Sequence, residues 1–245
     1  MKKINIVGCG VMGAQIANLF NIMGYEVNIW NRSKIDKDNL FRQKKLILKL
    51  LKTLDNNGLI KIIDNIQELP NNITIECLAE DLELKKNFLG NINQKVTKEV
   101  FTNSSSIKTI KIGKNINLLH FFNPISLKII EFNKTEKFSK DAENIFYDLK
   151  KLNFELIEVG NYTGFAFNKI LFSEISNFFF IIEKEKIKKN EILKIFKKIN
   201  NNLDILNTLD IIGIDTSLKI LENLNTEYGN YYIPKILSMC ISEKI

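Results

Sequence analysis

Lys3-Ile4-Asn5-Ile6-Val7-Gly8-Cys9-Gly10-Val11-Met12-Gly13 is the stretch that decides the fold of this chain. A short apolar run, Lys3 to Val7, stops at a glycine. Val11 to Met23 then carries helical periodicity, with Met12, Ile16, Leu19, Phe20 and Met23 able to share one face. Gly24 ends that helix, and Glu26 to Trp30 reads as a second strand. Strand, turn, helix and strand in this order open a βαβ unit. Gly8-Cys9-Gly10-Val11-Met12-Gly13 is GxGxxG at the strand-to-helix turn. The first glycine allows the tight turn, the second lets backbone approach a pyrophosphate, and the third lets helix pack on strand. The helix N-terminus turns free N–H groups and its dipole toward the phosphates. A bare GxGxxG is weak; in this setting it marks a dinucleotide site, with Gly8, Gly10, Val11, Met12 and Gly13 as its contacts.

Further along, Ser33 to Leu54 reads as a Lys-rich amphipathic helix and Asn56-Asn57-Gly58 as a turn. Strands are expected at Ile73 to Leu78, Val100 to Asn103, Leu118 to Phe122, Ile129 to Phe132 and Phe154 to Val159. Helices are expected at Leu82 to Ile92 and Lys140 to Leu152. From Gly164 onward the pattern is helical. Alternating β and α followed by all-α implies an α/β fold: a Rossmann-type, mainly parallel sheet domain over residues 1–161, then a smaller all-α domain over 162–245.

The 245 residues are 45% apolar, enough for a real core, yet no apolar run approaches the roughly 18 residues of a membrane span. The first residues run straight into a strand, so no signal peptide is expected. Cys9, Cys77 and Cys240 have no metal or redox spacing, which points to a reducing, cytoplasmic setting. A single histidine excludes a usual zinc site. No GxSxG elbow is present for a triad hydrolase. The net charge of +7 comes almost wholly from lysines scattered among acids, and no nucleic-acid motif accompanies it, so no nucleic-acid partner is expected.

The end of the second strand bears on the cofactor. NAD proteins usually place Asp or Glu there for the ribose hydroxyls. This chain has Trp30-Asn31-Arg32-Ser33. Asn31 does not repel a 2′-phosphate, and Arg32 can pair with one in a bidentate way. Alternatively Asn31 bonds the ribose of NAD while Arg32 sits in solvent. NAD or NADP therefore both stand at this level.

His120 is the only histidine and lies in His120-Phe121-Phe122-Asn123-Pro124, with Glu131 eleven residues on. A lone histidine is more often structural than catalytic, and its context decides. Gly8 to Ala17 reads GCGVMGAQIA, Glu76 to Lys86 ECLAEDLELKK, Thr102 to Ile107 TNSSSI, His120 to Glu131 HFFNPISLKIIE and Gly164 to Leu171 GFAFNKIL. In these blocks and in Ile211 to Leu221 the chain resembles the L-3-hydroxyacyl-CoA dehydrogenase family, particularly the short 3-hydroxybutyryl-CoA dehydrogenases. The family patterns are GxGxMGxxIA, EAxxEDLxLKK, SNTSSI, HFFNPxxxMxLVE, GFxxNRLL and IGLDxxLxIxxxL. The resemblance runs over nearly the whole chain, and HFFNP is its most specific block.

The resemblance implies an oxidoreductase that interconverts 3-hydroxyacyl-CoA and 3-ketoacyl-CoA with NAD or NADP. It makes His120 the general base or acid and Glu131 the carboxylate that orients it. Ser105 bonds the reacting oxygen, Asn168 helps hold His120 and substrate, and Asn123 supports the same pocket. Glu80, Lys85 and Asn103 fall at cofactor positions beside Asn31 and Arg32, with Lys85 reaching ribose or phosphate. It also implies a homodimer, an acyl-CoA substrate and no metal. Each residue has a bland counterpart: Ser104 to Ser106 as a cap cluster, Asn168 on a helix surface, Glu131 as an exposed acid, and Lys45, Lys49 and Lys52 as a solvated face rather than a CoA-phosphate contact.

Departures from the family pattern concentrate on the acyl-CoA side. The step from His120 to Glu131 is one residue shorter, so the loop after Pro124 must absorb a deletion. Asn200 to Leu206 lacks the family's GxxHPMGP-like segment. The chain stops at Ile245, where relatives carry a tail resembling GRGFYDY, so a shortened C-terminal domain is expected. Two other functions remain compatible: dehydrogenation of a free small hydroxy acid, and a cofactor-binding protein with reduced catalysis.

Overall fold

The computed structural model describes residues 1–52, 55, 58–91, 97–185, 187–199 and 204–242. Leu54, Asn56 and Asn57, the stretch Asn200 to Leu203 and the last residues to Ile245 lie outside them, with the expectations placed there. The chain divides into two compact units: Met1–Ser104 with Thr109–Asn161, and Ser105–Lys108 with Tyr162–Ile245. Among the described residues no helix is long and apolar enough to cross a membrane.

The first unit runs β1 (Lys3–Val7), α1 (Val11–Ile22), β2 (Glu26–Trp30), α2 (Lys37–Leu51), β3 (Leu59–Ile63), β4 (Asn72–Glu76), α3 (Leu82–Asn91), β5 (Thr97–Thr102), α4 (Thr109–Ile112), β6 (Ile116–Phe121), β7 (Ile129–Asn133), α5 (Lys140–Lys151) and β8 (Glu155–Glu158). The strands form one sheet in the order β3-β2-β1-β4-β5-β6-β7-β8. β3 through β6 pair parallel, β6 and β7 antiparallel, and β7 and β8 parallel. The order reverses between β1 and β4, and in such sheets ligands bind outside the carboxyl ends of the strands at that point. The turn carrying GxGxxG follows β1, so the motif sits there.

Ile4, Ile6 and Val7 of β1 and Val27 and Ile29 of β2 are fully buried, as strands covered on both faces require. The exceptions in these strands pair with one another. Asn5 lies level with Asn28 on one side and Thr74 on the other. Asn28 Nδ2 donates to Asn5 Oδ1 at 3.1 Å, and Asn5 Nδ2 donates to Thr74 Oγ1 at 3.2 Å and to the Pro70 carbonyl at 2.8 Å. A one-residue slip would strand these buried amides, so the row fixes the register of β2, β1 and β4.

Two local expectations change. α2 begins at Lys37 rather than Ser33, because the Asp36 carboxylate caps it by accepting from the Asn39 N–H at 2.9 Å. β3 is an element that periodicity does not announce. Its Leu-Ile-Lys-Ile-Ile has no alternation, and Leu59 and Ile62 stay exposed at the sheet edge. It forms because β2 offers a free edge, and Lys61 Nζ meets Glu26 Oε1 across the pair at 2.8 Å.

The second unit holds α6 (Phe167–Lys184), α7 (Lys189–Ile199), α8 (Ile205–Ile212), α9 (Ile214–Tyr228) and α10 (Lys235–Ser242). Phe172, Ile175, Ile205, Ile220, Leu221 and Leu224 form the heart of its core. Asp204 caps α8 by accepting from the Leu206 and Asn207 N–H groups. Gly213, at φ 93°, ends α8 and starts α9 within one residue, a backbone state that suits glycine. Ser105–Lys108 belongs to this unit because three partners hold it: the Asn168 amide on the Ser105 carbonyl at 2.7 Å, the Gly164 N–H on the Ser106 carbonyl at 2.9 Å, and the Asn223 amide on Ser106 Oγ at 2.8 Å.

A Cβ on Gly13 would fall 1.9 Å from the Gly8 carbonyl oxygen, whereas one on Gly10 meets nothing within 4 Å. Gly13→Ala is expected to lower stability by about 1–3 kcal/mol, the usual cost of overpacking. Gly10→Ala is expected to change it by less than about 0.5 kcal/mol. Urea denaturation without cofactor measures both; equal midpoints for the two variants would contradict the close helix–strand approach.

Candidate active site

His120 is the fifth residue of β6 and Glu131 the third of β7, and the antiparallel register sets them directly opposite. Directly opposed residues project to the same face of a sheet. Both side chains are buried, and His120 Nδ1 lies 2.9 Å from Glu131 Oε2. The segment between the strands, Phe122 to Lys128, is short and closes through a 3₁₀ turn at Ile125–Leu127, with Lys128 at φ 55°. It absorbs the missing residue, so the shorter spacing does not separate the pair. A carboxylate on Nδ1 holds the ring proton there and leaves Nε2 as the basic nitrogen. Phe122 packs beside the imidazole with ring centroids 5.0 Å apart.

The loop bearing Asn123 is tied to the dinucleotide helix by a residue that sequence reasoning did not single out. Gln15 of α1 is buried; its Oε1 accepts from the Ile125 N–H at 3.2 Å and its Nε2 reaches Asn123 Oδ1 at 3.5 Å. Gln15, with Asn18 and Asn21, is one of the polar residues set into an otherwise apolar helix, and that was the available signal. Asn103, half-buried after β5, accepts the Phe121 N–H at 2.8 Å and donates its own N–H to the Glu76 carbonyl. It therefore joins the ends of β4, β5 and β6.

The turn after β1 suits a dinucleotide. Gly8 holds φ 92°, and a Cβ there would meet the Cys77 carbonyl at 2.6 Å. Gly8 and Gly13 are thus closed from within, while Gly10 is open and exposed, and Val11 is exposed beside it. A diphosphate can approach backbone on the open side, at the start of α1. Asn31 braces this loop: its Oδ1 accepts from the Cys9 N–H at 3.0 Å, and its Nδ2 donates to the Ser33 carbonyl and hydroxyl. Arg32 is exposed.

Lys85, expected at ribose or phosphate, is buried inside the sheet end. Its ammonium donates to both Glu76 oxygens, at 2.8 and 3.0 Å, and to the Leu78 carbonyl at 3.2 Å, with Glu80 Oε2 at 3.8 Å. Three donors engaged this way make it the counter-ion of Glu76 and Glu80. Burial alone would pull its pKa down, but the two carboxylates outweigh that and hold it above the ordinary lysine value. Thr102 Oγ1 donates to Glu76 at 2.6 Å and Ser104 Oγ to Glu80 at 2.7 Å. Glu76 and Thr102 were not singled out from sequence, although a charged residue ending the apolar run Ile73-Thr74-Ile75 was a clue. Burial, with Asp36 nearby, pushes the Cys9 thiol up to about 11, and burial with Glu76 raises Cys77 as well. Both thiols are packed against the core rather than poised to react.

In the second unit Asn168 opens α6 and is buried, so it is not a helix-surface residue. Its amide serves the backbone of Ser105, the half-buried serine expected at substrate. Lys45 and Lys49, weighed for CoA phosphates, are exposed on α2, and Lys45 lies over the Phe41 ring.

Residues 3–161 match a family model described as "3-hydroxyacyl-CoA dehydrogenase, NAD binding domain", and residues 164–244 match "3-hydroxyacyl-CoA dehydrogenase, C-terminal domain". A 3-hydroxybutyryl-CoA dehydrogenase of Clostridioides difficile is 27% identical over 93% of this chain and 89% of its own length. A probable 3-hydroxybutyryl-CoA dehydrogenase of Bacillus subtilis is 24% identical over 94% and 88%. In fold, the chain is similar to FadB2 of M. tuberculosis, with a TM-score of 0.85 at 19% identity, covering 100% of this chain and 94% of that one.

The raised pKa of Lys85 sets an alkaline limit. Its stabilisation is complete below the unfolded lysine value, about 10.4, and is lost as pH rises through the higher folded value. Tyr25, raised by burial and Asp148, loses stability in the same direction. The urea midpoint of Tyr25→Phe is therefore expected to begin falling once the pH passes about 10.4. A Tyr25→Phe/Lys85→Met double variant should be less stable at neutral pH by about 3–5 kcal/mol, with a flatter alkaline limb. Parallel limbs would remove Lys85 as the cause.

Proposed function

Because the chain belongs to the 3-hydroxyacyl-CoA dehydrogenase family, we propose that it interconverts a short-chain 3-hydroxyacyl-CoA and its 3-ketoacyl-CoA, with His120 moving the proton. The observation that carries this reading is the buried His120–Glu131 pair, 2.9 Å apart on neighbouring strands. A bound nicotinamide dinucleotide supplies the hydride acceptor in oxidation and the donor in reduction. In oxidation His120 Nε2 takes the hydroxyl proton as hydride leaves the same carbon, so alcohol becomes ketone. The Glu131 carboxylate steadies the imidazolium that results. In reduction the same nitrogen returns the proton to the developing alkoxide. Ser105 and Asn168 take the roles the family gives them: a hydroxyl to the reacting oxygen, and an amide that orders the substrate side. Asn123 supports the pocket from the loop that Gln15 holds.

The short acyl chain follows the relatives, a 3-hydroxybutyryl-CoA dehydrogenase and a probable 3-hydroxybutyryl-CoA dehydrogenase. A reducing, cytoplasmic setting suits the free thiols of Cys9 and Cys77. A homodimer built on the second unit suits the exposed Ile170, Phe180, Ile236 and Met239 there.

His120→Gln is expected to lower kcat for acetoacetyl-CoA reduction by about 10²–10⁴, a typical general-acid contribution, while cofactor binding by calorimetry stays intact. Unchanged turnover refutes the assignment. Free acetoacetate should be turned over poorly beside acetoacetyl-CoA; equal kcat/KM for both would favour a free hydroxy acid as substrate. Sedimentation of the full chain should give a dimer, and a monomer at assay concentration would count against the helical unit as a contact.

A further inference from the structure

The family reading leaves the choice of cofactor open, and the end of β2 carries the chemistry that makes it. We infer that the cavity there takes the 2′-phosphate of NADP(H), and that Arg32 selects it over the free 2′-hydroxyl of NAD(H). The inference deepens the function proposed above, since it names the cofactor of the same site.

Three observations carry it. First, no carboxylate stands where a ribose diol would need an acceptor. Asn31 occupies that place, and both ends of its amide are spent on the Cys9 N–H and on Ser33. Second, a cavity of about 530 Å³ opens beside it, lined by Arg32, Ser33 and Lys34 on the β2–α2 turn, by Lys37 at the start of α2, by Ile63 at the end of β3 and by Asp64 just after it. Arg32, Lys34 and Lys37 are exposed. Among the described residues none of the three has an ion-pair partner. The lining side chains carry three positive charges against one from Asp64, a net of +2. Third, the acid nearest in sequence, Asp36, is engaged in capping α2 and lies 4.0 Å from Arg42, although its charge also reaches Cys9 of the glycine loop.

These features complement one group. A phosphate monoester carries close to two negative charges at neutral pH and several strong acceptor oxygens. A guanidinium offers paired N–H donors that match those oxygens, and the Ser33 hydroxyl and two ammonium groups add to the field. A ribose hydroxyl pair gains little from an array of cations. Asp64 opposes the phosphate, but a single acid across the cavity is outnumbered.

The test is equilibrium binding, measured by calorimetry on the full chain without acyl substrate. NADP⁺ is expected to bind at least about tenfold more tightly than NAD⁺ at low salt, the scale of one charge-assisted contact. The fragments 2′,5′-ADP and 5′-AMP should show the same order, which assigns the difference to the 2′-phosphate. Arg32→Leu should cut the NADP⁺:NAD⁺ affinity ratio about tenfold. Asn31→Asp should cut it too, by adding a repelling charge. NAD⁺ binding as tight as NADP⁺, or a ratio that Arg32→Leu leaves unmoved, overturns the inference. The two proposals fail separately. A chain that reduces acetoacetyl-CoA yet prefers NAD⁺ loses only the cofactor assignment. A chain that discriminates the 2′-phosphate yet turns over no acyl-CoA loses only the reaction.

Discussion

The antiparallel pairing of β6 with β7 is the constraint on which the site depends. A parallel neighbour would need a long crossover before a carboxylate could return beside the imidazole. A tight reversal instead returns it after eleven residues, level with His120 and on the same face. Cross-strand geometry, not side-chain reach, fixes the separation. The ladder can lose a residue from its connecting loop and keep the pair, because the register is set by backbone hydrogen bonds and by the buried residues on either side. Leu119, Phe121 and Ile130 are buried beside it and hold that register.

A second constraint works at the carboxyl ends of the parallel strands. Glu76 ends β4 with its carboxylate inside the protein, and Lys85 from α3, Thr102 from β5 and the Leu78 backbone close around it. Buried charges persist only when paired and fully hydrogen-bonded. The network therefore ties three consecutive elements to the crevice where the strand order reverses. Asn103 extends the tie to β6 and Gln15 extends it from α1 to the loop after His120. The glycine loop and the His120–Glu131 pair are thereby built on one connected frame within the first unit.

Much of the fold was legible because its signals are local. GxGxxG between strand and helix, apolar runs for buried strands, and a lasting change to helical periodicity after Gly164 all read directly from residue order. The miss at β3 has the opposite cause. Leu59 to Ile63 is a strand only because β2 has an unpaired edge for it, and its own pattern is neither alternating nor buried. Lys85 illustrates the same limit at the site. The family resemblance alone suggests a place near the nucleotide for it; which carboxylates surround it depends on three elements meeting, and no spacing states that.

By itself the sequence determined the class of chemistry: a dinucleotide loop, a lone histidine in HFFNP, and a carboxylate at a spacing short enough for a hairpin. These depend on residue type and near neighbours, which a linear chain states outright. Tertiary structure alone decided how the polar groups are spent. It placed Glu131 against Nδ1, sank Lys85 between Glu76 and Glu80, turned Asn31 onto the glycine loop, and left Arg32, Lys34 and Lys37 around an open cavity. The reason is physical: whether a charge is paired inside or left for a ligand depends on which distant segments the fold brings within about 3 Å of it, the reach of a hydrogen bond.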